Sequence, residues 1–168
     1  MHRRLGAKLP DGLIGEFVFW AENALDEFRC DRAVHERGLA AQTPELDEKP
    51  SGLADISEAF EQVRRNYWSS GEIEPAFHGA FQALKRLTVW LAYGAAQLVA
   101  DSDRLEAWSA VPAMEQMLRI ARPVTLDTDD ARLGEIVMEL AAASRQWLRE
   151  SGFDCSWRNG GRYLEILR

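Results

Sequence analysis

Residues 73–101 read IEPAFHGAFQALKRLTVWLAYGAAQLVAD, and their reading decides the fold. From Leu87 to Ala100 the stretch carries no charge. It is too long for one strand, and its apolar residues recur at three- and four-residue steps, which predicts a central helix. Phe77, Phe81, Leu84, Leu87, Leu91, Ala95 and Leu98 form one broad apolar face. His78, Gln82, Lys85, Arg86, Tyr93 and Gln97 fall opposite, interrupted by Val89. Pro75 suits a first helical turn, where its missing N–H costs nothing. The second half is apolar almost all round, so burial on several sides is expected, with Leu91 and Leu98 fully enclosed. Ala92, Gly94, Ala95 and Ala96 are small enough to let neighbouring helices approach. A membrane span needs about 20 apolar residues. This run is shorter and contains Thr88, Tyr93 and Gln97, so no membrane association is expected.

Working outward toward the N-terminus, a second helix starts at Ser51 or Asp55. Its stripe is Leu53, Ile56, Phe60, Val63 and Tyr67, and Ser69, Ser70 and Gly71 break it before the central helix. Residues 39–52, LAAQTPELDEKPSG, show no periodicity and read as the longest loop, of a length often mobile or functional. Before it, Asp11 can cap a first helix carrying Leu13, Ile14, Phe17, Val18, Ala21, Leu25 and Phe28 on one face. Its charged later part, Arg29 to Arg37, is expected to project into water, and Gly38 is a plausible stop.

Toward the C-terminus, Ser102 can cap a short helix containing Leu105 and Trp108, which Pro112 interrupts and restarts. Asp127 or Thr128 caps the last helix, with Leu133, Ile136, Val137, Leu140, Ser144, Trp147 and Leu148 inside and Gly152 as its end. The period then changes. Phe153, Cys155 and Trp157 alternate, Asn159-Gly160-Gly161 supplies a turn, and Leu164 and Ile166 alternate after it, which predicts a hairpin over 153–167. The expectation is a mainly α protein: a single helical-bundle domain over residues 1–168, of five or six helices, with a short C-terminal β-hairpin.

Composition bounds the function classes. A chain of 168 residues can bury a core without disulfides or metals. The net charge of −7 argues against a nucleic-acid-binding surface, which needs basic residues. Cys30 and Cys155, far apart in sequence, form neither a disulfide framework nor a zinc motif. The basic start MHRRLGAKLP is followed by an apolar run that Glu16 breaks, unlike a secretory segment, so a cytoplasmic protein is expected.

No residue set specifies a reaction. Glu74 lies four residues before His78, whereas ferritin-type di-metal helices use a three-residue step and several such pairs. The Arg29–His35 spacing resembles the arginine–histidine motif of HEPN-type ribonucleases. A six-residue step along a helix nevertheless sets the two side chains about 120° apart. Glu58 and Glu61 resemble one half of the carboxylate pairs with which MazG-type nucleotide pyrophosphatases hold magnesium. The second half, an E-x-x-D pair, does not occur, although Glu135 and Glu139 share a helix face. Asp127, Asp129 and Asp130 resemble the start of a calcium loop, but Arg132 stands where that loop needs glycine. Helix capping explains these aspartates without a metal. No cofactor motif is present.

Absence of a catalytic set favours a small acidic protein-binding module, such as an inhibitor, an immunity protein or a subunit of a larger complex. The enzyme alternative is a helical nuclease or metal-dependent nucleotide hydrolase. The expected contact residues are the acidic groups Glu45, Asp47, Glu48, Asp127, Asp129 and Asp130, facing a basic partner surface, and the cluster Arg64, Arg65, Tyr67 and Trp68. Of the six tryptophans, Trp68 is the candidate anchor, because it stands at a helix end beside Tyr67.

Overall fold

The computed structural model describes residues 13–39, 49–100, 111–158 and 161–167. Five helices and a hairpin follow in order among these residues: α1 (Leu13–Glu36), α2 (Lys49–Ser70), α3 (Ile73–Ala100), α4 (Pro112–Ala121), α5 (Asp130–Glu150), β1 (Phe153–Arg158) and β2 (Gly161–Ile166). The fold is mainly helical, with the C-terminal hairpin that the alternating tail predicts.

Helix α3 is the centre. It packs against all four other described helices and against β2. Leu84, Leu91 and Leu98 are completely enclosed, as their spacing requires. Thr88, inside this core, donates its hydroxyl back to the Leu84 carbonyl at 2.7 Å, so its polar group is satisfied within the helix. Gln97 departs from expectation. It is buried, because neighbours surround the second half of α3 and leave no wet face there.

Ring contacts and close approaches set the helix directions. Phe17 of α1 meets Phe81 of α3 with centroids 5.4 Å apart. Further along both helices, Tyr93 donates to Glu27 at 2.7 Å. The two helices therefore run parallel. Helix α2 is antiparallel to α3. A Cβ on Gly79 would lie 2.7 Å from Val63 Cγ2, and one on Gly52 would lie 2.7 Å from Trp90 Nε1. Each glycine admits a bulky side chain of the facing helix, so the two axes come close at both ends. Helix α4 is joined to α5 by Trp147, whose indole N–H donates to Gln116 at 2.7 Å, and by an Arg119–Glu139 ion pair.

The terminators act as their chemistry predicts. Helix α1 ends at Gly38, which has a φ of 66°. Leu39 N–H bonds the Val34 carbonyl and Gly38 N–H bonds the His35 carbonyl, the double closure that a left-handed glycine permits. Pro112 opens α4 at a first-turn position. Two boundaries differ from expectation. Helix α2 begins at Lys49, so residues 49–52 are helical rather than loop; Pro50 fits a first turn, where no N–H is needed. Asp129 caps α5 in place of Asp127 or Thr128, accepting from Arg132 N–H at 2.9 Å. Thr128 instead receives the Thr125 N–H within the preceding turn. The expected helix around Leu105 and Trp108, and residues 40–48 of the expected loop, lie outside the described residues.

The hairpin pairs antiparallel, with Phe153 opposite Ile166 and Cys155 opposite Leu164. These four side chains share the inner face, and Phe153 and Cys155 are fully buried. Phe153 stacks obliquely on Phe60 of α2, 5.8 Å between centroids. The sheet is thus anchored on the helices, as a marginal two-stranded unit must be. Burial pushes the Cys155 thiol up to about 12, with the Asp154 charge adding to the shift.

Candidate functional site

The helix directions give the bundle two ends. At one end lie the C-termini of α1 and α3, the N-terminus of α2 and the α4–α5 connection. At the other lie the α2–α3 connection, the C-terminus of α5 and the hairpin.

The first end is closed by arginines. Arg32 donates to the carbonyls of Arg122 and Val124, both at 2.8 Å. Arg29 donates to those of Thr125 and Leu126 at 3.2 and 2.8 Å. Helix α4 has just ended there, and the carbonyls of the connection that follows it, from Arg122 to Leu126, have no helical ladder to accept from. Two guanidinium groups one turn apart on α1 supply the donors. Residues 29–37 therefore do not simply project into water, because their long polar side chains reach a connection that lies far along the chain. Asp31, between the two arginines, is buried, and desolvation holds its carboxyl above the ordinary aspartate range, an effect that His35 opposes and Glu27 reinforces. His35 Nε2 lies 3.5 Å from Asp31 Oδ2. Arg29 and His35 thus have different partners, loop carbonyls for one and Asp31 for the other. Beside them, the hydrogen bond to Glu27 pushes the Tyr93 phenol up to about 12.

The carboxylate pairs are likewise engaged separately. Glu58 pairs with Arg65, Glu61 with Arg64, Glu135 with Arg132 and Glu139 with Arg119. Among the described residues no three His, Cys, Asp or Glu side chains gather into a metal-binding group. No described helix is long and apolar enough to cross a membrane.

The second end is open. Trp68 is 67% exposed, and its ring lies edge-on to Tyr67 at 5.7 Å. Ile73, the first residue of α3, is 44% exposed. Beside it is a cavity of about 230 Å³ lined by Ile73, Glu74, Phe77, His78 and Leu164. His78 presents its ring edge-on to Phe77, with centroids 6.2 Å apart. The paired positions Val63/Gly79 and Gly52/Trp90 set Trp68 level with Glu74 along the hairpin of helices. Arg64, one turn before Trp68 and on the same face of α2, lies over the Phe153 ring at 5.8 Å. Trp68 therefore continues the face of α2 that carries the β-hairpin, while Leu164 closes the cavity from the α3 side. The two features share the hairpin side of the α2–α3 pair.

The expected contact residues are divided by this architecture. Arg64 covers Gly152 and Phe153 and pairs with Glu61, so it belongs to the fold. Arg65 is more exposed and pairs with Glu58 and Gln62. Tyr67 is half-buried and Trp68 exposed. Asp129 is committed to its cap, and Asp127 and Asp130 are exposed at the closed end. Trp68 stands 19 residues along α2 from Lys49. At the helical rise, that separates it from the closed end by about 28 Å. Trp68 and these aspartates cannot form one contact patch. Glu45, Asp47 and Glu48 lie outside the described residues. Sequence reasoning missed Ile73, Phe77 and Leu164 as a cavity lining, because each fits an ordinary core stripe. Only the third dimension leaves a gap between them.

Comparison of the chain with known protein families, curated proteins and solved structures gives no match.

Proposed function

We propose that this chain is a small acidic protein-binding module whose contact surface is the open end of the bundle. The carrying observation is Trp68, which leaves two-thirds of its surface in water although the fold has buried Trp147 completely. A tryptophan offers a large rigid area at little entropic cost, and such residues dominate binding energies when a partner covers them. Tyr67, Ile73 and the adjoining cavity extend the apolar surface around it. An inhibitor, an immunity protein and a subunit of a larger complex all fit this surface. No observation favours the nuclease or hydrolase alternative, since Arg29 and the glutamates that would serve it each hold another partner.

The test is a pull-down from the native cell with the intact chain and its Trp68→Ala variant, both shown to be folded by circular dichroism. A protein recovered by the first and lost by the second is the expected result. Identical recovery by the two would remove the open end from the reading.

A further inference from the structure

We infer that the open end receives a partner segment carrying arginine or lysine beside a bulky apolar residue. The apolar side chain enters the cavity against Phe77 and Leu164. The cation lies between the Trp68 ring and the carboxylates of Glu72 and Glu74. This inference rests on the protein-binding reading and deepens it by naming the chemistry of the occupant.

The size of the cavity comes first. At about 230 Å³ it exceeds the opening of about 150 Å³ that suffices for a benzene ring. One large aliphatic or aromatic side chain therefore fits, and its walls are mainly carbon. The charge comes second. Glu74 lines the cavity and Glu72 stands just before α3; both are exposed, and among the described residues neither has an ion-pair partner. The nearest arginines on α2, Arg64 and Arg65, are already matched by Glu61 and Glu58. Among the described side chains there, the charge left over is negative. The first turn of α3 favours a carboxylate at Glu74 through the helix dipole, which explains how the charge is tolerated but leaves it free to attract. The ring comes third. An indole face in water is the best aromatic platform for a guanidinium or ammonium group, and a carboxylate behind it reinforces the same sign. Phosphate-rich partners fail on this charge pattern, because nucleic acids and anionic lipid surfaces seek basic groups.

The experiment pans a random phage-displayed peptide library over the immobilised full chain. Selected peptides are then measured against the unaltered protein, Trp68→Ala, and the double variant Glu72→Gln with Glu74→Gln. All three positions are exposed, so circular dichroism should show unchanged folding. Expected are peptides with arginine or lysine close to leucine, isoleucine or phenylalanine. Their affinity should fall at least about tenfold on either change, and fall with added salt. Peptides that need Trp68 but are indifferent to the two glutamines, or that carry no basic residue, would overturn the charge assignment while leaving the open end as a binding surface. Selection of no peptide that depends on Trp68 would overturn both. Single-stranded RNA and phosphatidylserine vesicles serve as further probes, and Trp68-dependent binding of either would also overturn the inference.

Discussion

The two ends of the bundle use similar residue types for opposite purposes. At the closed end, Arg29 and Arg32 reach loop carbonyls, and the chain ties itself down. At the open end, Trp68 and Ile73 leave much of their surface in water, Trp68 meeting Tyr67 only along a ring edge. Arginine and tryptophan are both favoured at binding surfaces. Their type therefore does not reveal which end binds. The deciding quantity is whether the fold has already satisfied them. The arginines have acceptors within hydrogen-bond distance, whereas two-thirds of the tryptophan is still wet.

That contrast can be broken by stability measurements. The scale is set by the core common to both ends. Leu91→Ala should cost about 2–5 kcal/mol in urea unfolding, the range for an enclosed leucine. A loss below about 1 kcal/mol, typical of a surface change, would mean that α3 is not the core and that the two ends are misassigned. At the closed end, Arg32→Ala removes both carbonyl contacts. A loss of about 1.5–3 kcal/mol is expected, as for hydrogen bonds to a charged group. An Arg32 variant as stable as the parent would show that this end is not held by its arginines.

A smaller, pH-dependent effect is expected beside that clamp. The folded-state pKa of Asp31 is raised, chiefly by desolvation. A raised acid binds its proton more tightly in the folded state, so the stability it contributes is present below its unfolded value, near 3.8, and is lost as pH rises through the folded value. Asp31→Asn should therefore be more stable than the parent near neutral pH, and the difference should shrink on acidification. Thermal unfolding across that interval checks the sign, and an advantage that grew in acid would contradict it. The smallest effect belongs to the open end. Trp68→Ala should change stability by no more than about 0.5 kcal/mol, since the fold makes little use of the ring. A loss comparable to that of Arg32→Ala would erase the distinction between the ends and return Trp68 to the fold.

Much of the architecture was legible in the sequence because it depends on local period and local chemistry. The α3 stripe, the glycine stops at Gly38 and Gly152, the restart at Pro112 and the alternation from Phe153 to Ile166 are each read within a few residues. What escaped depends on distance along the chain. Arg29 bonds a carbonyl 97 residues away, and a charged helix face looks the same in sequence whether water or a distant loop receives it. Gly52 reads as part of a loop, and nothing local marks Gly79 as a contact point, until Trp90 and Val63 are seen against them. The aromatic cluster of Tyr67 and Trp68 was visible as a candidate. Its separation from Asp127 and Asp130 follows only from the antiparallel course of α2.

The two thiols hold a further consequence. Cys30 is exposed, while Cys155 is buried in β1 with its thiol pushed up to about 12. In the native protein at mildly alkaline pH, Cys155 supplies almost no thiolate and no access to an alkylating reagent. Its modification must wait for the hairpin to open, whereas Cys30 reacts on the folded surface and reports the reagent's intrinsic speed. The ratio of the two rates is a clock for hairpin opening, read by mass spectrometry on an unaltered chain. Slowing of the Cys155 clock by a bound peptide, with Cys30 unaffected, would connect occupancy of the neighbouring cavity to closure of the sheet that walls it.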